Sequence, residues 1–484
     1  MTGTNRAKYV PPMQTRAEGA TLPETALREL GRSLEGDVLL PGDNAYDAAR
    51  RVWNGMVDRR PAVIARCMGP ADVGAAIRFA RMHGLEIGVR GGGHSILGQS
   101  LADGGLTIDL STMGEVTVDP ERRLARVGGG ALLGSLDRAS LEHGLATTAG
   151  NVSHTGVGGL TLGGGMGWLA RQFGLACDNV VEYQLVTADG SQLRVTAEEN
   201  ADLFWGLRGG GGNFGVVTEF TFRLHPFAGQ ALSVDAYYPA AAGPEVLAAW
   251  RDFALAAPDE ATPTAWVGTS GEWPFLAPEH HNQPLVNAGF VWAGDPEMGR
   301  RLATALRDIG SVVGEEIEEI PYLTLQTWGD EGNRHGLRRY WKGHYLEDLG
   351  PSAIDAFLSR GGAAPDGGIM PNGFLQAYGG AIGRLGIEES AFSHRNTRFE
   401  FVVMAGWEDP AEDETRMGAA RRFAAAMEPH ASGVYVNALS DEGAAGVAHA
   451  YRDATLERLR VLKDRYDPDN AFHLNHNIAP SEVT

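Results

Sequence analysis

Residues 86–100 read EIGVRGGGHSILGQS, in which an apolar run, three consecutive glycines and a histidine follow one another directly. The apolar run predicts a β-strand, and the glycines behind it predict a backbone that turns tightly or approaches another group closely. Successive small residues also expose neighbouring backbone N–H groups, which together form a nest for an anion. Because His94 directly follows the glycines, the stretch predicts a binding site with a histidine at its edge.

Two further glycine-rich runs lie in the same half of the chain. Residues 150–169, GNVSHTGVGGLTLGGGMGWL, exceed the length of any turn and would let a backbone lie along a flat ligand. Residues 210–215, GGGNFG, match the dinucleotide-binding motif G-x-G-x-x-G, which needs a helix directly after it. Here VVTEFTFRL follows, and its alternation predicts a strand. The residues alone leave two interpretations open: a dinucleotide bound outside a Rossmann fold, or glycine-rich packing between strands.

Composition excludes several classes of protein. The chain has 484 residues, more than one hydrophobic core holds, which predicts two or three domains. Its 61 acidic and 41 basic residues give a net charge of -20, which disfavours nucleic acid as a partner. The two cysteines, Cys67 and Cys177, stand in apolar contexts and provide no disulfide framework. Without a signal-peptide core or a long apolar run, a cytoplasmic protein with no membrane contact is expected.

The sequence predicts a mixture of strands and helices. Strand-like and helix-like runs alternate up to about residue 228, and the composition changes near His225 and Pro226. The following segment has fewer glycine clusters and more tryptophans and tyrosines, which predicts a second domain with an aromatic-lined interior. Its strand-like runs include FEFVVMAGW (399–407). Residues 434–439, VYVNAL, predict a further strand, and residues 446–466 predict a helix.

Four stretches together resemble a known family. They are VRGGGHS (89–95), GNVSHTGVGGLTLGGGMGWLARQFGLACDNV (150–180), LFWGLRGGGGNFGVVTEF (203–220) and RYDPDNAFHLNHNI (465–478). In this order they are similar to FAD-linked oxidases of the vanillyl-alcohol oxidase and p-cresol methylhydroxylase superfamily, in the bacterial form of the berberine bridge enzyme-like group.

The resemblance implies an α+β fold with four segments. Residues 45–228 would form a two-lobed FAD-binding domain of the p-cresol methylhydroxylase type, after an N-terminal extension over residues 1–44. Residues 229–430 would form a substrate domain, an antiparallel sheet covered by helices. Residues 431–484 would return to the FAD-binding domain.

The resemblance also implies FAD as the cofactor, with a covalent bond from His94 to the 8α carbon of the flavin. Some members have a second link from a cysteine four residues before GVGG. Val152 occupies that position here, so a single link is expected. The other residues assigned to the cofactor are Arg90, Gly91, Gly92, Gly93, Ser95, Gly98, Asn151, Val152, Ser153, Gly158, Gly159, Gly164, Leu175, Val217, Asn475 and Asn477.

The implied reaction moves a hydride from an alcohol or amine carbon of a medium-sized organic or natural-product substrate to flavin N5. Dioxygen would be the electron acceptor, because Thr155 is smaller than the leucine of dehydrogenase relatives. Val402 and Ala438 occupy the positions at which relatives have a catalytic acid and tyrosine, and Glu400 shares the strand face of Val402, one step further along. The candidate catalytic residues are Tyr435, Asn437, Gln376 and Tyr378, with Trp341 and His344 as further candidates.

Other functions stay open at this point. A carbohydrate oxidase of the same family is one alternative. A flavin-containing protein that sequesters a drug with little turnover is another, and the missing base at Val402 and Ala438 would suit it. A zinc site in HLNH (473–476) is disfavoured, because the resemblance places His473 and His476 in the tail that contacts the cofactor. The expected partners are a small-molecule substrate and dioxygen, with the chain as a monomer or homodimer.

Overall fold

The computed structural model describes residues 22–362 and 370–481. The strands are β1 (Asp37–Leu39), β2 (Val63–Arg66), β3 (Ile87–Arg90), β4 (Leu106–Asp109), β5 (Val116–Asp119), β6 (Leu124–Gly128), β7 (Leu145–Ala146), β8 (Val180–Val186), β9 (Gln192–Val195), β10 (Val216–Arg223), β11 (His225–Pro226), β12 (Gln230–Pro239), β13 (Ala261–Thr269), β14 (Pro284–Trp292), β15 (Gly314–Pro321), β16 (Arg338–Leu346), β17 (Gly373–Ala377) and β18 (Phe399–Trp407).

The helices are α1 (Glu24–Ser33), α2 (Tyr46–Ala49), α3 (Pro70–Met82), α4 (Leu133–Leu141), α5 (Val157–Leu162), α6 (Ala170–Phe173), α7 (Ala201–Leu207), α8 (Gly243–Ala256), α9 (Pro296–Arg307), α10 (Tyr322–Trp328), α11 (Pro351–Ser359), α12 (Ala381–Arg384), α13 (Asp413–Met427), α14 (Gly443–Ala450) and α15 (Asp453–Tyr466). Among the described residues, no helix is both long and apolar enough to span a bilayer.

The first sheet positions the loop that carries His94. Its strand order is β1-β2-β4-β3, in which β2, β4 and β3 are parallel and β1 is antiparallel. Helix α3 connects β2 to β3 and begins with Pro70 at its first turn, where a missing N–H costs no hydrogen bond. Its apolar face, with Val73 and Ile77, packs into the core of this sheet. Strand β3 ends at Arg90, so the three glycines lie directly beyond a fixed strand end.

The second sheet is antiparallel, with the order β5-β6-β10-β8-β9. The segment after GGGNFG is strand β10, which confirms that this match to the dinucleotide motif is not a Rossmann site. Gly215 enters the strand at φ +153°, and a Cβ there would lie 2.6 Å from the carbonyl oxygen of Val186. Only glycine therefore lets β10 join β8 at this point.

The third sheet has seven antiparallel strands in the order β15-β12-β14-β13-β17-β18-β16. Helices α8, α9, α11 and α13 pack on one face of it. Along β18, Phe399, Phe401 and Val403 point into the core under these helices. Because side chains alternate along a strand, Glu400 and Val402 point to the opposite face, toward the glycine-rich lobes.

The C-terminal segment returns to the first two sheets. The predicted strand VYVNAL is wrong, because residues Val436–Ala438 form a 3-10 turn. The predicted helix over residues 446–466 is broken into α14 and α15, with Tyr451 in extended conformation between them. After α15 the chain runs beside the glycine-rich loops, where the Gln99 amide donates to the carbonyl oxygen of Asn475 at 2.9 Å.

A buried ion pair fixes this final turn of the chain. Lys463 and Asp467 have fully buried side chains, and the ammonium lies 2.6 Å from the carboxylate. Lys463 also donates to the carbonyl oxygens of Asn213 and Phe472, each at 3.0 Å. Asp467 accepts the backbone N–H groups of Ala471 and Phe472. The pair therefore joins α15, the glycine-rich loop before β10 and the C-terminal tail.

Candidate active site

A cavity of about 700 Å³ lies between the glycine-rich loops and the seven-stranded sheet, a volume that suits a cofactor and a small ligand. Its glycine-rich side is lined by Gly91, Gly92, Gly93, His94, Ser95, Gly129, Gly158, Gly159, Gly211, Gly212, Asn213 and Val217. Its sheet side is lined by Thr264, Trp341, Phe374, Gln376, Glu400, Val402 and Met404. The C-terminal segment contributes Tyr435, Asn437, Asn475 and His476.

On the glycine-rich side of the cavity, the glycines let neighbouring backbone segments lie directly against one another. A Cβ at Gly92 would lie 2.3 Å from the backbone nitrogen of Gly156, and a Cβ at Gly129 would lie 2.4 Å from the carbonyl oxygen of Val217. Gly93 follows at φ +69°, a conformation that L side chains rarely adopt. The glycines that line the cavity carry no side chains, so a planar ligand can lie directly on their peptide groups.

Several buried polar atoms face the cavity without a partner. Within residues 22–362 and 370–481, Asn151 Oδ1, Asn475 Oδ1, Gln376 Nε2 and Trp341 Nε1 make no hydrogen bond. Buried polar groups are normally paired, so these residues offer donors and acceptors to a bound group. A flavin ring and a dinucleotide chain carry polar groups of both kinds, and the residues present therefore fit FAD.

His94 is held by aromatic and imidazole rings. Its ring stacks on Trp53 at a centroid distance of 4.8 Å and an angle of 15°. Its Nε2 lies 2.7 Å from Nδ1 of His154, and its Nδ1 lies 3.4 Å from the hydroxyl of Thr155. Burial lowers the pKa of His94 far below its ordinary value, and the nearby His154, His335 and Arg339 lower it further. His94 is therefore neutral at physiological pH, as a nitrogen nucleophile must be.

The loop after α10, residues 329–336, packs against this cluster. The Asp330 carboxylate accepts the backbone N–H of Ser153 at 3.0 Å and its hydroxyl at 2.6 Å. Trp53 donates its indole N–H to the carbonyl oxygen of Asn333 at 2.6 Å. His335 from this loop packs against His94 and His154. One ring nitrogen from each of these three histidines lies within 4.8 Å of the other two.

Glu400 is an isolated carboxyl group in the sheet wall of the cavity. Its side chain is 7% exposed and accepts the hydroxyl of Tyr378 at 2.7 Å. The hydroxyl of Tyr345 lies 3.4 Å from that of Tyr378, behind the cavity wall. Burial raises the pKa of Glu400 to about 7, against the opposing effect of the Tyr378 hydrogen bond. The group therefore takes up and releases a proton near neutral pH.

Tyr435 and Asn437 lie together, although the strand predicted for them is absent. The 3-10 turn brings the Asn437 amide within 2.9 Å of the Tyr435 hydroxyl, and the backbone N–H of Gly165 donates to the same oxygen at 2.8 Å. With two donors on its oxygen, the phenol of Tyr435 retains its own proton for donation. Burial raises the pKa of Tyr435, so this proton stays bound at neutral pH.

The cavity contains most of the predicted site residues. Those that line it are Gly91, Gly92, Gly93, His94, Ser95, Asn151, Val152, Gly158, Gly159, Val217, Asn475, Gln376, Tyr435 and Asn437, together with Thr155 and Trp341. Those that lie outside its lining are Arg90, Gly98, Ser153, Gly164, Leu175, Asn477 and Tyr378, together with His344.

The residues outside the lining have structural contacts of their own. The guanidinium of Arg90 pairs with Asp109 at 3.3 Å, and Leu175 packs in a small core that also contains Tyr378. A Cβ at Gly98 would lie 2.4 Å from a methyl group of Val57. His344 bonds the carbonyl oxygen of Ala424 on α13, on the opposite face of the sheet from the cavity.

Glu400, His154 and Asp330 are the residues that the sequence argument did not select. A signal for Glu400 was present, because it is a lone acid in a strand-like run between Phe399 and Phe401. His154 stands inside the second glycine-rich run. Asp330 has no comparable signal, because only the fold brings its loop to Ser153.

Comparison with known proteins identifies the family. A family described as FAD binding domain matches residues 61–196, and one described as berberine and berberine like matches residues 434–479. (R)-6-hydroxynicotine oxidase of Paenarthrobacter nicotinovorans is 31% identical over 478 residues, which cover 93% of this chain and 97% of that protein.

Solved structures agree in fold. The 6-hydroxy-D-nicotine oxidase of Arthrobacter nicotinovorans superposes with a TM-score of 0.80 at 30% identity, over 93% of this chain and 99% of that chain. The xylooligosaccharide oxidase of Myceliophthora thermophila C1, at 22% identity, has a TM-score of 0.83 over 95% of this chain and 100% of its own. The chain is therefore an FAD-linked oxidoreductase of the berberine bridge enzyme-like group, with the α+β, p-cresol methylhydroxylase-type FAD-binding fold of that family.

Proposed function

We propose that the protein is an oxidase that removes two electrons and two protons from an amine or alcohol group of a medium-sized organic molecule and passes them to dioxygen. FAD, bound along the glycine-rich side and through a single link to His94, would supply the two-electron chemistry. The observation that carries this proposal is the carboxyl group of Glu400 in the sheet wall of the cavity.

Glu400 has the properties of a general base. It lies on the cavity wall opposite the glycine-rich loops, and its pKa of about 7 matches the pH at which a base both accepts and releases protons readily. The Tyr378 hydroxyl holds it in place from behind, at 2.7 Å. An N–H or O–H proton of the substrate would pass to this carboxylate. A protein that only sequesters a drug has no need of such a group, so this observation favours turnover.

The lining of the cavity favours a compact substrate over a sugar chain. Phe374, Val402 and Met404 surround Glu400 on the sheet side, and Trp328 stands at the same cavity. Such apolar side chains bind a carbon ring through burial of its surface. The polar groups on this side are few, and they are those of Thr264, Gln376 and Glu400 with the indole N–H of Trp341. The (R)-6-hydroxynicotine oxidase at 31% identity, named for a small organic molecule, supports this choice.

The expectation of a single covalent link to the flavin depends on the residue at the position where doubly linked relatives have a cysteine. The glucooligosaccharide oxidase of Acremonium strictum carries a 6-S-cysteinyl, 8α-N1-histidyl FAD. In this chain Val152 lines the cavity where the motif of doubly linked relatives has cysteine. Cys67 and Cys177 are buried away from the cavity lining, so neither thiol replaces it.

Peroxide release from a panel of amines, alcohols and oligosaccharides tests the proposed reaction. We expect one or more amines or alcohols to give turnover, with kcat/KM rising as the pH passes through about 7. Glu400→Gln should lower kcat by at least about 100-fold, in the range of general-base loss. Glu318→Gln, an exposed acid on β15, serves as the matched control. Full activity of Glu400→Gln would show that Glu400 is not the base. Turnover of oligosaccharides alone would show that the substrate is a carbohydrate.

Acid precipitation of the purified protein tests the link. Yellow colour should stay with the protein, and a flavin-linked peptide containing His94 should be found by mass spectrometry. His94→Ala should release all flavin into the supernatant. A flavin-linked peptide elsewhere in the chain would contradict the single link.

A further inference from the structure

His94 and His154 share one proton. The 2.7 Å distance between His94 Nε2 and His154 Nδ1 is that of a direct hydrogen bond, so one nitrogen donates and the other accepts. The two residues come from different glycine-rich loops, and the hydrogen bond joins those loops at the edge of the cavity. Which nitrogen carries the proton follows from the groups on the far side of His154.

Asp330 determines which nitrogen of His154 carries the proton. Its Oδ1 lies 4.0 Å from Nε2 of His154, a buried nitrogen that has no hydrogen-bond partner among the described residues. A carboxylate at this distance favours the proton on Nε2, which leaves Nδ1 of His154 as an acceptor. His94 then carries its proton on Nε2 and presents a lone pair on Nδ1. Two bonds from Ser153 fix the Asp330 carboxylate, so the whole chain of groups is held.

We infer that His154, oriented by Asp330, is the positioning residue that prepares His94 for covalent attachment to the flavin and accepts its proton. This inference rests on the proposed link through His94. Attachment replaces the N–H bond of His94 and one C–H bond of the flavin methyl group by a single N–C bond. The two protons and two electrons released pass to dioxygen, which becomes hydrogen peroxide. His154 receives the imidazole proton on the way.

The other neighbours of His94 are not placed to accept its proton. Trp53 stacks on the ring face of His94, and the Arg339 guanidinium lies over the Trp53 ring, 4.3 Å from its centroid. His335 meets His94 edge-on at a centroid distance of 5.6 Å and makes no hydrogen bond to either imidazole among the described residues. Thr155 lies 3.4 Å from Nδ1 and has no acidic or basic character near neutral pH. His154 is the neighbour with both the contact and the chemistry.

The rate of covalent loading is the test. Full-length apoprotein from a flavin-limited host is mixed with FAD, and the acid-insoluble flavin is measured over time while non-covalent binding is followed by fluorescence. His154→Asn keeps an acceptor near Nδ1 but takes no proton. We expect it to bind FAD non-covalently like the wild type and to load covalently at least ten-fold more slowly. Asp330→Asn should slow loading several-fold, and His143→Asn, which changes an exposed histidine after α4, is the matched control and should load normally.

Chemical rescue separates proton transfer from a structural role. Free imidazole should restore loading in His154→Ala and should have no effect in His94→Ala. Wild-type loading rates in both His154 variants would overturn the inference while leaving the link intact. Loss of non-covalent FAD binding in both would also overturn it, because His154 would then be only structural. Covalent flavin in His94→Ala, or none in the wild type, would overturn the link itself and the inference with it.

Discussion

Glu400 makes stability and activity depend on pH in opposite directions. Burial raises its pKa from 4.5 to about 7, so the folded state binds this proton more tightly than the unfolded chain. Its contribution to stability is fully present below about pH 4.5 and is lost as the pH rises through about 7. Glu400→Gln removes the charge and keeps an acceptor for Tyr378. We expect its stability relative to wild type to rise between pH 5 and pH 8.5, by roughly 1–3 kcal/mol.

Thermal unfolding at both pH values measures this difference. Asp137, a buried acid whose carboxylate accepts the Gln326 amide at 2.8 Å, has its pKa raised to about 7 by burial as well. Asp137→Asn should therefore show the same trend with pH, and the exposed Glu318→Gln should show none. A stability gain of Glu400→Gln that shrinks as the pH rises would contradict the assignment of a buried, protonated carboxyl group.

Single site residues could be predicted where their neighbours in sequence carry the signal. His94 follows three glycines, which predict a close approach of two backbone segments. The structure shows this approach. Glu400 could be placed on a face but not at a cavity, because its surroundings come from Tyr378 on a neighbouring strand and from the lobe opposite. The pairing of His94 with His154 joins residues 60 positions apart, and no local pattern specifies it.

Helix α15 determines the position of the C-terminal tail through Lys463. Removing its ammonium group leaves the Asp467 carboxylate buried and unpaired, and also frees the carbonyl oxygens of Asn213 and Phe472. Breaking a buried pair in this way typically costs about 3–5 kcal/mol. We expect Lys463→Met to lower stability by this amount and to weaken non-covalent FAD binding, because Asn475 and His476 follow directly in the chain. Chemical denaturation and FAD titration measure the two effects.

Arg460→Met, on the exposed side of the same helix, is the matched control. Its ion pair with Glu457 is 3.6 Å long and solvent-exposed, and such pairs contribute little. Stability and FAD binding should stay near those of the wild type. A Lys463→Met protein that is destabilised but binds FAD with unchanged affinity would show that the tail does not depend on this ion pair.

Elements could be predicted where burial follows their own periodicity. Residues 399–404 alternate between core and cavity, and they belong to strand β18. Residues 434–439 alternate as well, yet the Asn437 amide donates to the carbonyl oxygen of Leu160, 277 positions away, and the backbone turns to reach it. A Cβ at Gly163 would lie 2.2 Å from Asn437 Oδ1, so the turn also depends on a distant glycine. Such contacts override local propensity.

Asn54 joins the His94 loop to the seven-stranded sheet beside the cavity. Its amide donates to the carbonyl oxygens of Ile96 and Arg339 at 2.7 and 3.1 Å, and its oxygen accepts the Arg339 N–H at 3.0 Å. One buried side chain thus holds the His94 loop to strand β16. Asn54→Leu leaves these groups unpaired, and we expect a loss of roughly 3 kcal/mol. Hydrogen exchange should increase both in residues 94–100 and in residues 332–340.

Asn396→Leu, at an exposed position shortly before β18, is the control for this substitution. Faster exchange in the His94 loop alone would mean that this loop and the sheet are held together elsewhere. The boundaries of the domains stay a prediction, which rests on the resemblance of four glycine-rich and C-terminal motifs to one family. Composition and periodicity alone predict two or three α+β domains and no contacts, because contacts such as those of Asn54 are made by individual side chains.

The hydrogen bond from Gln99 to Asn475 joins positions that are 376 residues apart. At 5–20 residues per second, the ribosome makes the second of these on the order of 20–75 s after the first. Throughout that interval the glycine-rich loops exist without the tail that completes their cavity. We therefore expect FAD to bind in the complete cavity only after the C-terminal segment has been synthesised.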